Sequence, residues 1–176
     1  MIPTIREARP DDAEVIAAIY AHHVAHGTAS FDTVPRTTEE TAAKIKECAQ
    51  HGWPYLVAEE GGAVVGYAYA TQFRDRPAYL STCENSIYIE PSHIGRGVGG
   101  ALLVALIEAA ERAGFRQMIA VIGGAEPASV AIHRKAGFVE AGRMHSVGRK
   151  LGRWLDTLYM QRELGSGDKE PPRCEP

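Results

Sequence analysis

The sequence has few cysteines, no surplus of positive charge and no long apolar run. Its three cysteines, Cys48, Cys83 and Cys174, have neither the spacing of metal ligands nor the even number of a disulfide framework, which favours a reducing cytoplasm. A formal net charge of −3 gives no basic field for nucleic acid or acidic lipid. The first residues lack the apolar core of a signal peptide, and no run approaches membrane-spanning length. We therefore expect a cytoplasmic protein with neither nucleic acid nor membrane as a partner.

Length and composition fit one globular domain. A chain of 176 residues, of which 45% are apolar and 23% charged, can bury one sizeable core. The domain is expected to span 1–164. The remaining residues, 165–176, are rich in glycine, proline and charge and predict a disordered tail that contains Cys174.

Two capping-box patterns predict where the first helices begin. Asp11 precedes Glu14 by three residues, and Thr37 precedes Glu40 by three. In such a box the first side chain accepts from the N–H of the third helical residue, whose own side chain reaches back. The sequence therefore predicts helices that start after Asp11 and after Thr37.

The rest of the chain alternates between strand and helix periodicity. Two apolar runs flank Glu60-Gly61-Gly62 and predict a hairpin. A long helix is predicted from an apolar stripe formed by Val98, Leu102, Leu106, Ala110 and Ala113. The order of elements predicts an α/β (α+β) fold, a mixed central sheet of about seven strands with helices on both faces.

A glycine-rich turn, GRGVGG at 95–100, precedes that long helix. A nucleotide P-loop is excluded because Ala101-Leu102 stand where Lys-Ser or Lys-Thr is needed. A dinucleotide site is disfavoured because five residues separate strand from glycine, and because the next strand, QMIAVIGG, ends with no acid before Glu126. Two interpretations remain: a simple connection, or a loop whose N–H groups bind a pyrophosphate at the helix N-terminus, with Arg96 adding charge.

Longer segments resemble a known family. "SIYIEPSHIGRGVGGALLVALIEAAERAGF" and "VIGGAEPASVAIHRKAGFVEAGRM" look like the acetyl-coenzyme A region of the Gcn5-related N-acetyltransferase (GNAT) superfamily. "SFDTVPRTTEE", "GYAYATQFRDRPAY", "CENSIYI" and "VGRKLGRWLDTLYMQREL" are similar to its phosphinothricin and methionine sulfoximine acetyltransferase group. The resemblance runs in order from about Ile5 to Leu164.

The resemblance implies the GNAT fold and acetyl transfer from acetyl-coenzyme A, as co-substrate, to the α-amine of a small amino acid analogue. It also implies a homodimer and no metal. The implied cofactor-binding residues lie on the strand, in the glycine loop and at the next helix: Ile87, Tyr88, Ile89, Gly95, Arg96, Gly97, Val98, Gly99, Gly100 and Glu126. Two positions depart from the family, since Ile94 replaces a Gln or Arg and Glu126 replaces an Asn whose amide could donate hydrogen bonds.

The same resemblance points to two catalytic candidates. Glu84 matches the family's glutamate beside the thioester and is the expected general base, on the same strand face as Ser86 and Tyr88. His133 stands where relatives place a tyrosine that protonates the leaving thiolate. Either that acid role or plain packing fits a histidine there. Cys83 has no activating partner and is interpreted as strand packing.

The expected substrate-binding residues are Arg74, Asp75, Arg76 and Glu84. Only Arg74 matches the family residue by residue, and an Arg fork suits a carboxylate or phosphinate. For Asp75 and Arg76 an ordinary charged loop is an equal alternative.

Other side chains are given structural interpretations. Three aromatic residues, Phe31, Tyr79 and Trp154, are expected in the core rather than in a pocket. Four histidines do not form a recognisable metal-ligand pattern and are expected on the surface: His22, His23, His26 and His51.

Two alternative functions stay open. The chain could be a GNAT enzyme for another amine, such as a polyamine, an aminoglycoside or a protein N-terminus. It could also be a non-catalytic acyl-coenzyme A binding module.

Overall fold

The computed structural model describes residues 3–172, so Cys174 lies outside the described residues. The strands are β1 Thr4–Glu7, β2 Tyr55–Glu60, β3 Ala63–Gln72, β4 Thr82–Ile89, β5 Gln117–Gly123, β6 Val139–Lys150 and β7 Arg153–Glu163. The helices are α1 Ala13–His26, α2 Thr38–His51, α3 Val98–Arg112 and α4 Pro127–Lys135. In the described part of the chain no helix is long and apolar enough to cross a membrane.

The strands form one mixed sheet, as the sequence predicts. Its seven strands lie in the order β1-β2-β3-β4-β5-β7-β6. Only β4 and β5 are parallel neighbours, and the other pairs are antiparallel. The predicted hairpin around Gly61-Gly62 is confirmed as the β2–β3 connection.

The sheet opens between its two parallel strands. β4 and β5 pair only from Thr82 to Asn85 and from Gln117 to Ala120. Beyond that point β4 stays paired with β3 as far as Ile89, and β5 stays paired with β7 as far as Gly123. The facing edges of the two strands are therefore free of each other and bound a cleft that passes through the sheet.

Helices cover both faces, as predicted. One apolar cluster joins α1 and α2 to a row of tyrosines on β2, β3 and β4. The other joins α3 to the opposite face, with Leu102 and Leu106 fully buried. The predicted stripe of α3 is buried except at its last residue: Ala113 is the exposed residue that follows the helix.

One helix start was predicted correctly and one was not. Thr37 and Glu40 form the expected capping box on α2. Asp11 does not cap α1, because Pro10 starts a short 3₁₀ turn and moves the helix start to Ala13. Asp12 stabilises the start of the helix instead. Its carboxylate accepts a hydrogen bond from the Arg9 N–H at 2.7 Å and forms an ion pair with Arg6.

The segment after β7 forms turns. The Gly167 N–H donates to the Leu164 carbonyl at 2.9 Å, and the Arg116 side chain reaches the Pro171 carbonyl at 3.3 Å. The predicted disorder of the tail stays a prediction.

Candidate active site

Two adjoining cavities lie at the opening between β4 and β5. The cleft cavity, of about 330 Å³, contains Glu84, Asn85 and His133 in its wall. The loop cavity, of about 590 Å³, is bounded by the glycine turn and the start of α4. The two share wall residues that include Ile87 and Tyr88 of β4, so they meet at the free edge of that strand.

The glycine turn presents backbone donors to the loop cavity. Gly95 and Gly97 have φ of 79° and 88°, a left-handed conformation that favours glycine. Gly97 is the N-cap of α3 and has no side chain to accept hydrogen bonds from the helix. The first N–H groups of α3 therefore have no side-chain cap. Gly99 and Gly100 also line this cavity and leave it open to a ligand. Such an N-terminus is an anion site.

Two other members of the turn differ from this pattern. Arg96 does not line the cavity, and its guanidinium lies 3.9 Å from a carboxylate oxygen of Glu60. The side chain of Val98 is fully buried in the α3 core, so only its backbone N–H can serve a ligand.

A cation that the sequence did not single out borders the loop cavity instead. Arg153, at the start of β7, lies in the cavity wall together with Ile94. The sequence around Arg153 contains no recognisable motif, because the β6–β7 hairpin brings this residue to the cavity from a distant part of the chain.

One histidine expected on the surface is bound to β4. The Nε2–H of His23 donates to the Ile89 carbonyl at 2.7 Å, and the ring is half-buried in the loop cavity wall. His26 lines the same cavity and is exposed, as are His22 and His51. The surface interpretation is therefore wrong for His23. Among residues 3–172 no three potential ligands are grouped for a metal.

Glu84 lies in the wall of the cleft cavity. Its face of β4 is the predicted one, since Tyr88 packs on the α1–α2 core while Ile87 and Ile89 pack on the α3 core. Burial raises the pKa of the Glu84 carboxyl above its ordinary value, and the positive charge of Arg74 partly opposes this shift. A carboxylate with a raised pKa at a cavity wall can accept a proton there.

His133 is buried and fixed at both ring nitrogens. Its Nδ1–H donates to the Ser129 carbonyl at 2.8 Å, and its Nε2 accepts from the amide of Asn85 at 2.8 Å. Burial lowers the pKa of the ring, which is therefore neutral near pH 7. Asn85, which the sequence did not single out, is thereby held against the cleft.

Glu126 begins α4. Its carboxylate accepts from the Ser129 N–H at 2.7 Å, so it caps the helix at the wall of the loop cavity. A carboxylate performs this task as well as an amide oxygen does. The departure from the family pattern is thus compatible with the local structure.

The three loop residues expected to bind substrate are exposed between β3 and β4. None of Arg74, Asp75 and Arg76 lines either cavity. The Arg74 guanidinium lies over the ring of Phe73 at 4.5 Å from its centroid. Its positive charge nevertheless lowers the pKa of Glu84, against the larger effect of burial.

The cleft cavity has an arginine that the sequence analysis missed. Arg36 lines it and donates to the hydroxyl of Tyr69 at 3.2 Å. Its guanidinium also lies over the rings of Tyr20 and Tyr69, at 4.8 and 5.9 Å from their centroids. A lone arginine beside a helix cap gives no motif, so only the folded chain shows this position.

The expected core aromatics are not core residues. Phe31 lines the cleft cavity, while Tyr79 and Trp154 are exposed at 37% and 61%. Cys83 is fully buried and burial raises the pKa of its thiol, in agreement with strand packing.

Comparison with known proteins agrees with this fold. The family described as "Acetyltransferase (GNAT) domain" matches residues 5–159. The chain belongs to this family and is an acyltransferase by class. It is 50% identical over 170 residues to phosphinothricin N-acetyltransferase of Alcaligenes faecalis, covering 96% of this chain and 86% of that one.

Two further proteins extend the comparison. The L-methionine sulfoximine/L-methionine sulfone acetyltransferase of Salmonella typhimurium is 38% identical, over 92% of this chain and 94% of its own. A phosphinothricin acetyltransferase from Sinorhizobium meliloti, solved in complex with AcCoA, superposes with a TM-score of 0.95 at 47% identity. That match covers 98% of this chain and 94% of that one.

Proposed function

We propose that the protein transfers the acetyl group of acetyl-coenzyme A to the α-amine of a small amino acid analogue of the phosphinothricin, methionine sulfoximine or methionine sulfone type. One observation carries the proposal. The cleft between β4 and β5 joins a cavity with unpaired helix N–H groups to a cavity with a half-buried carboxylate of raised pKa.

The loop cavity fits acetyl-coenzyme A. The α3 N-terminus and its glycines suit the pyrophosphate, because N–H donors and the helix dipole both favour phosphate. Ile87, Tyr88 and Ile89 provide a strand edge that β5 does not use. Apart from the Ile89 carbonyl, which His23 occupies, its backbone groups can pair with the amides of the pantetheine arm. Arg153 supplies a positive charge to the same cavity. Arg96, turned toward Glu60, contributes from outside it.

The chemistry is a direct attack. Glu84 takes a proton from the acceptor's ammonium group, directly or through a water molecule, and the free amine attacks the thioester carbonyl carbon. A C–N bond forms, and N–H groups of β4 between Ile87 and Ile89 stabilise the negative oxygen. The C–S bond then breaks, and coenzyme A leaves as a thiolate that a proton neutralises. The attacking nitrogen loses its second proton to solvent, which gives the neutral amide.

His133 is the proposed source of that last proton, although the structure gives it a second task. Its Nε2 accepts from Asn85, so a proton must reach that nitrogen before it can be donated. An acid role predicts that His133→Gln lowers kcat far more than affinity for coenzyme A. An unchanged kcat leaves His133 with the positioning of Asn85 alone.

The substrate class rests on the relatives and on charge. Arg74, with Asp75 and Arg76 on the same loop, is proposed to approach the acidic end of the acceptor when it binds beside Glu84. The relatives named above act on phosphinothricin and on methionine sulfoximine or sulfone, which carry such an acidic end.

A thiol-release assay with acetyl-coenzyme A tests the proposed function. Methionine sulfone, methionine sulfoximine, phosphinothricin and methionine serve as acceptors, with spermidine and an aminoglycoside for the alternative amines. We expect release with the first group. Release only with polycations favours the other acceptors, and coenzyme A binding without release on any amine favours a binding module.

We also propose a cytoplasmic homodimer built on the β6–β7 hairpin. β6 is an edge strand, exposed along nearly its whole length. Four apolar side chains of this hairpin are exposed: Met144, Val147, Leu151 and Trp154. An exposed apolar group on an edge strand is typical of an association surface.

A further inference from the structure

Arg36 is a cation at the cleft cavity without a carboxylate partner in the part of the chain that the structure describes. Among residues 3–172 its guanidinium forms no ion pair with a carboxylate, in contrast to Arg6 and Arg143. The hydroxyl of Tyr69 accepts one of its five N–H donors. Stacking on two tyrosine rings stabilises the cation but leaves other donors available. A half-buried charge of this kind favours an anionic partner.

Asp32, an acid in the wall of the same cavity, is already engaged. Asp32 accepts a hydrogen bond from the hydroxyl of Tyr20. Burial lowers the pKa of Lys150, and the negative charge of Asp32 opposes that shift. Lys150 in turn donates to the Ser30 carbonyl at 2.6 Å, which fixes the loop that carries Asp32.

Arg36 stands on the same face of the sheet as Glu84. Tyr69, its hydrogen-bond partner, lies opposite Ser86 in the β3–β4 register, and Thr71 lies opposite Glu84. Tyr69 and Glu84 are therefore diagonal neighbours on adjacent strands, about 7–8 Å apart at their backbones. The wall of the cleft cavity thus contains a proton acceptor and a cation on the same face of the sheet.

We infer that Arg36 binds an anionic oxygen group of the acceptor and makes the enzyme selective for acceptors that carry one. This inference rests on the proposed function. The group is the α-carboxylate or, in phosphinothricin, the phosphinate, since the planar guanidinium fork suits either. Arg36 lines the cavity itself, whereas Arg74 acts on Glu84 from an exposed loop.

The test compares Arg36→Gln with the unaltered enzyme on four acceptors. Methionine sulfone carries only a carboxylate, and its methyl ester carries no anion. Phosphinothricin carries both anions, and its decarboxylated analogue carries the phosphinate alone. We expect Arg36→Gln to lower kcat/KM by about 10- to 100-fold, mainly through KM, for acceptors with the recognised group. The methyl ester should change by less than about twofold.

The pattern of losses identifies the recognised anion. A loss on methionine sulfone assigns the carboxylate, and a loss on the decarboxylated analogue assigns the phosphinate. Arg36→Lys, which keeps the charge but not the fork, should recover part of the activity. Arg112→Gln, an exposed arginine on α3, serves as the matched control.

An equal loss on all four acceptors, or no loss on any, overturns the inference. Equal losses mean that Arg36 only holds Tyr20 and Tyr69 in place, and the thermal midpoint of unfolding would then fall as well. Failure of the unaltered enzyme to release thiol with any acceptor contradicts the proposed function instead, so the two failures are distinguishable.

Discussion

At the scale of single residues, Glu84 combines the position proposed for the general base with an environment that disfavours its charge. Its carboxylate is half-buried in the cleft wall, and burial raises its pKa while Arg74 opposes the shift. A base must be deprotonated to act. The proposed role of Glu84 therefore depends on the ionised state that burial disfavours.

Glu84→Gln should lower kcat by about 100-fold or more, because a positioned general base contributes about 10²–10⁴-fold. In the unaltered enzyme kcat/KM should rise with pH through an apparent pKa above the ordinary glutamate range. The variant should lack that acid limb. A pH profile of thiol release measures both effects, and an identical profile in the two proteins would rule out Glu84 as the base.

The same substitution should stabilise the fold at neutral and higher pH. The pKa of Glu84 is raised in the folded state, so its contribution to stability is full below the unfolded pKa and is lost as pH rises through the folded pKa. Glu84→Gln removes this loss. Urea unfolding should show equal stabilities near about pH 4 and a more stable variant near about pH 8. A variant that is less stable at the higher pH would contradict the raised pKa.

Residue roles were only partly predictable from the sequence. Glu84 could be found from the family resemblance and strand alternation, and the structure places it at a cavity wall. Arg36 and Asn85 could not be found, because each acts through a partner distant in the chain: Tyr69 for one and His133 for the other. Arg96 was predicted from its place in the glycine turn, yet its guanidinium lies near Glu60 of the β2–β3 hairpin and not in the loop cavity.

At the scale of elements, the backbone conformation at the start of α3 bears directly on the proposed cofactor site. Gly97 has a φ of 88°, and nothing within 4 Å would touch a Cβ there. A side chain at this position is therefore disfavoured by the backbone and not by its neighbours.

Gly97→Ala should cost about 1–2 kcal/mol of stability and raise the KM for acetyl-coenzyme A several-fold, because the loop that presents the N–H donors is strained. Gly52→Ala is the matched control. Gly52 also has a positive φ, 68°, and an open Cβ position, but it ends α2 away from both cavities. Thermal unfolding and steady-state kinetics should show a similar stability loss for both variants. An unchanged KM in Gly97→Ala would remove the turn from the cofactor site.

Elements were more predictable than their ends. The β2–β3 hairpin and the α2 capping box depend on neighbouring residues, which the sequence displays directly. The start of α1 depends on Pro10 and on the ion pair between Arg6 and Asp12, a contact across two elements. The point at which β4 and β5 separate could not be predicted from the sequence. It depends on the pairing of β4 with β3 and of β5 with β7.

At the scale of the whole molecule, the β6–β7 hairpin links the sheet edge to the active site. Phe31 of the cleft cavity packs against Gly148 of β6, where a Cβ would lie 2.2 Å from its ring. Lys150 of the same strand holds the Ser30 carbonyl. A dimer contact that stabilises the β6–β7 hairpin would therefore also stabilise the wall of the cleft cavity.

Val147→Asp should shift the protein from dimer to monomer, since it places a charge in the exposed apolar group of β6. Light scattering coupled to gel filtration measures the mass. Val104→Asp is the control, because Val104 is also exposed but lies on α3, away from the hairpin. A monomeric parent protein, or a dimer that survives the change, would contradict the proposed interface.

The central claim is that the α3 N-terminus holds the diphosphate of acetyl-coenzyme A so that its acyl carbon lies beside Glu84 in the β4–β5 cleft. A crystal structure with a non-hydrolysable acetyl-coenzyme A analogue tests it most directly. We predict the diphosphate at Gly97–Gly100, the pantetheine arm along the free edge of β4 and the acyl carbon at the junction of the two cavities. The analogue bound elsewhere, or with its acyl end away from Glu84, would contradict the account.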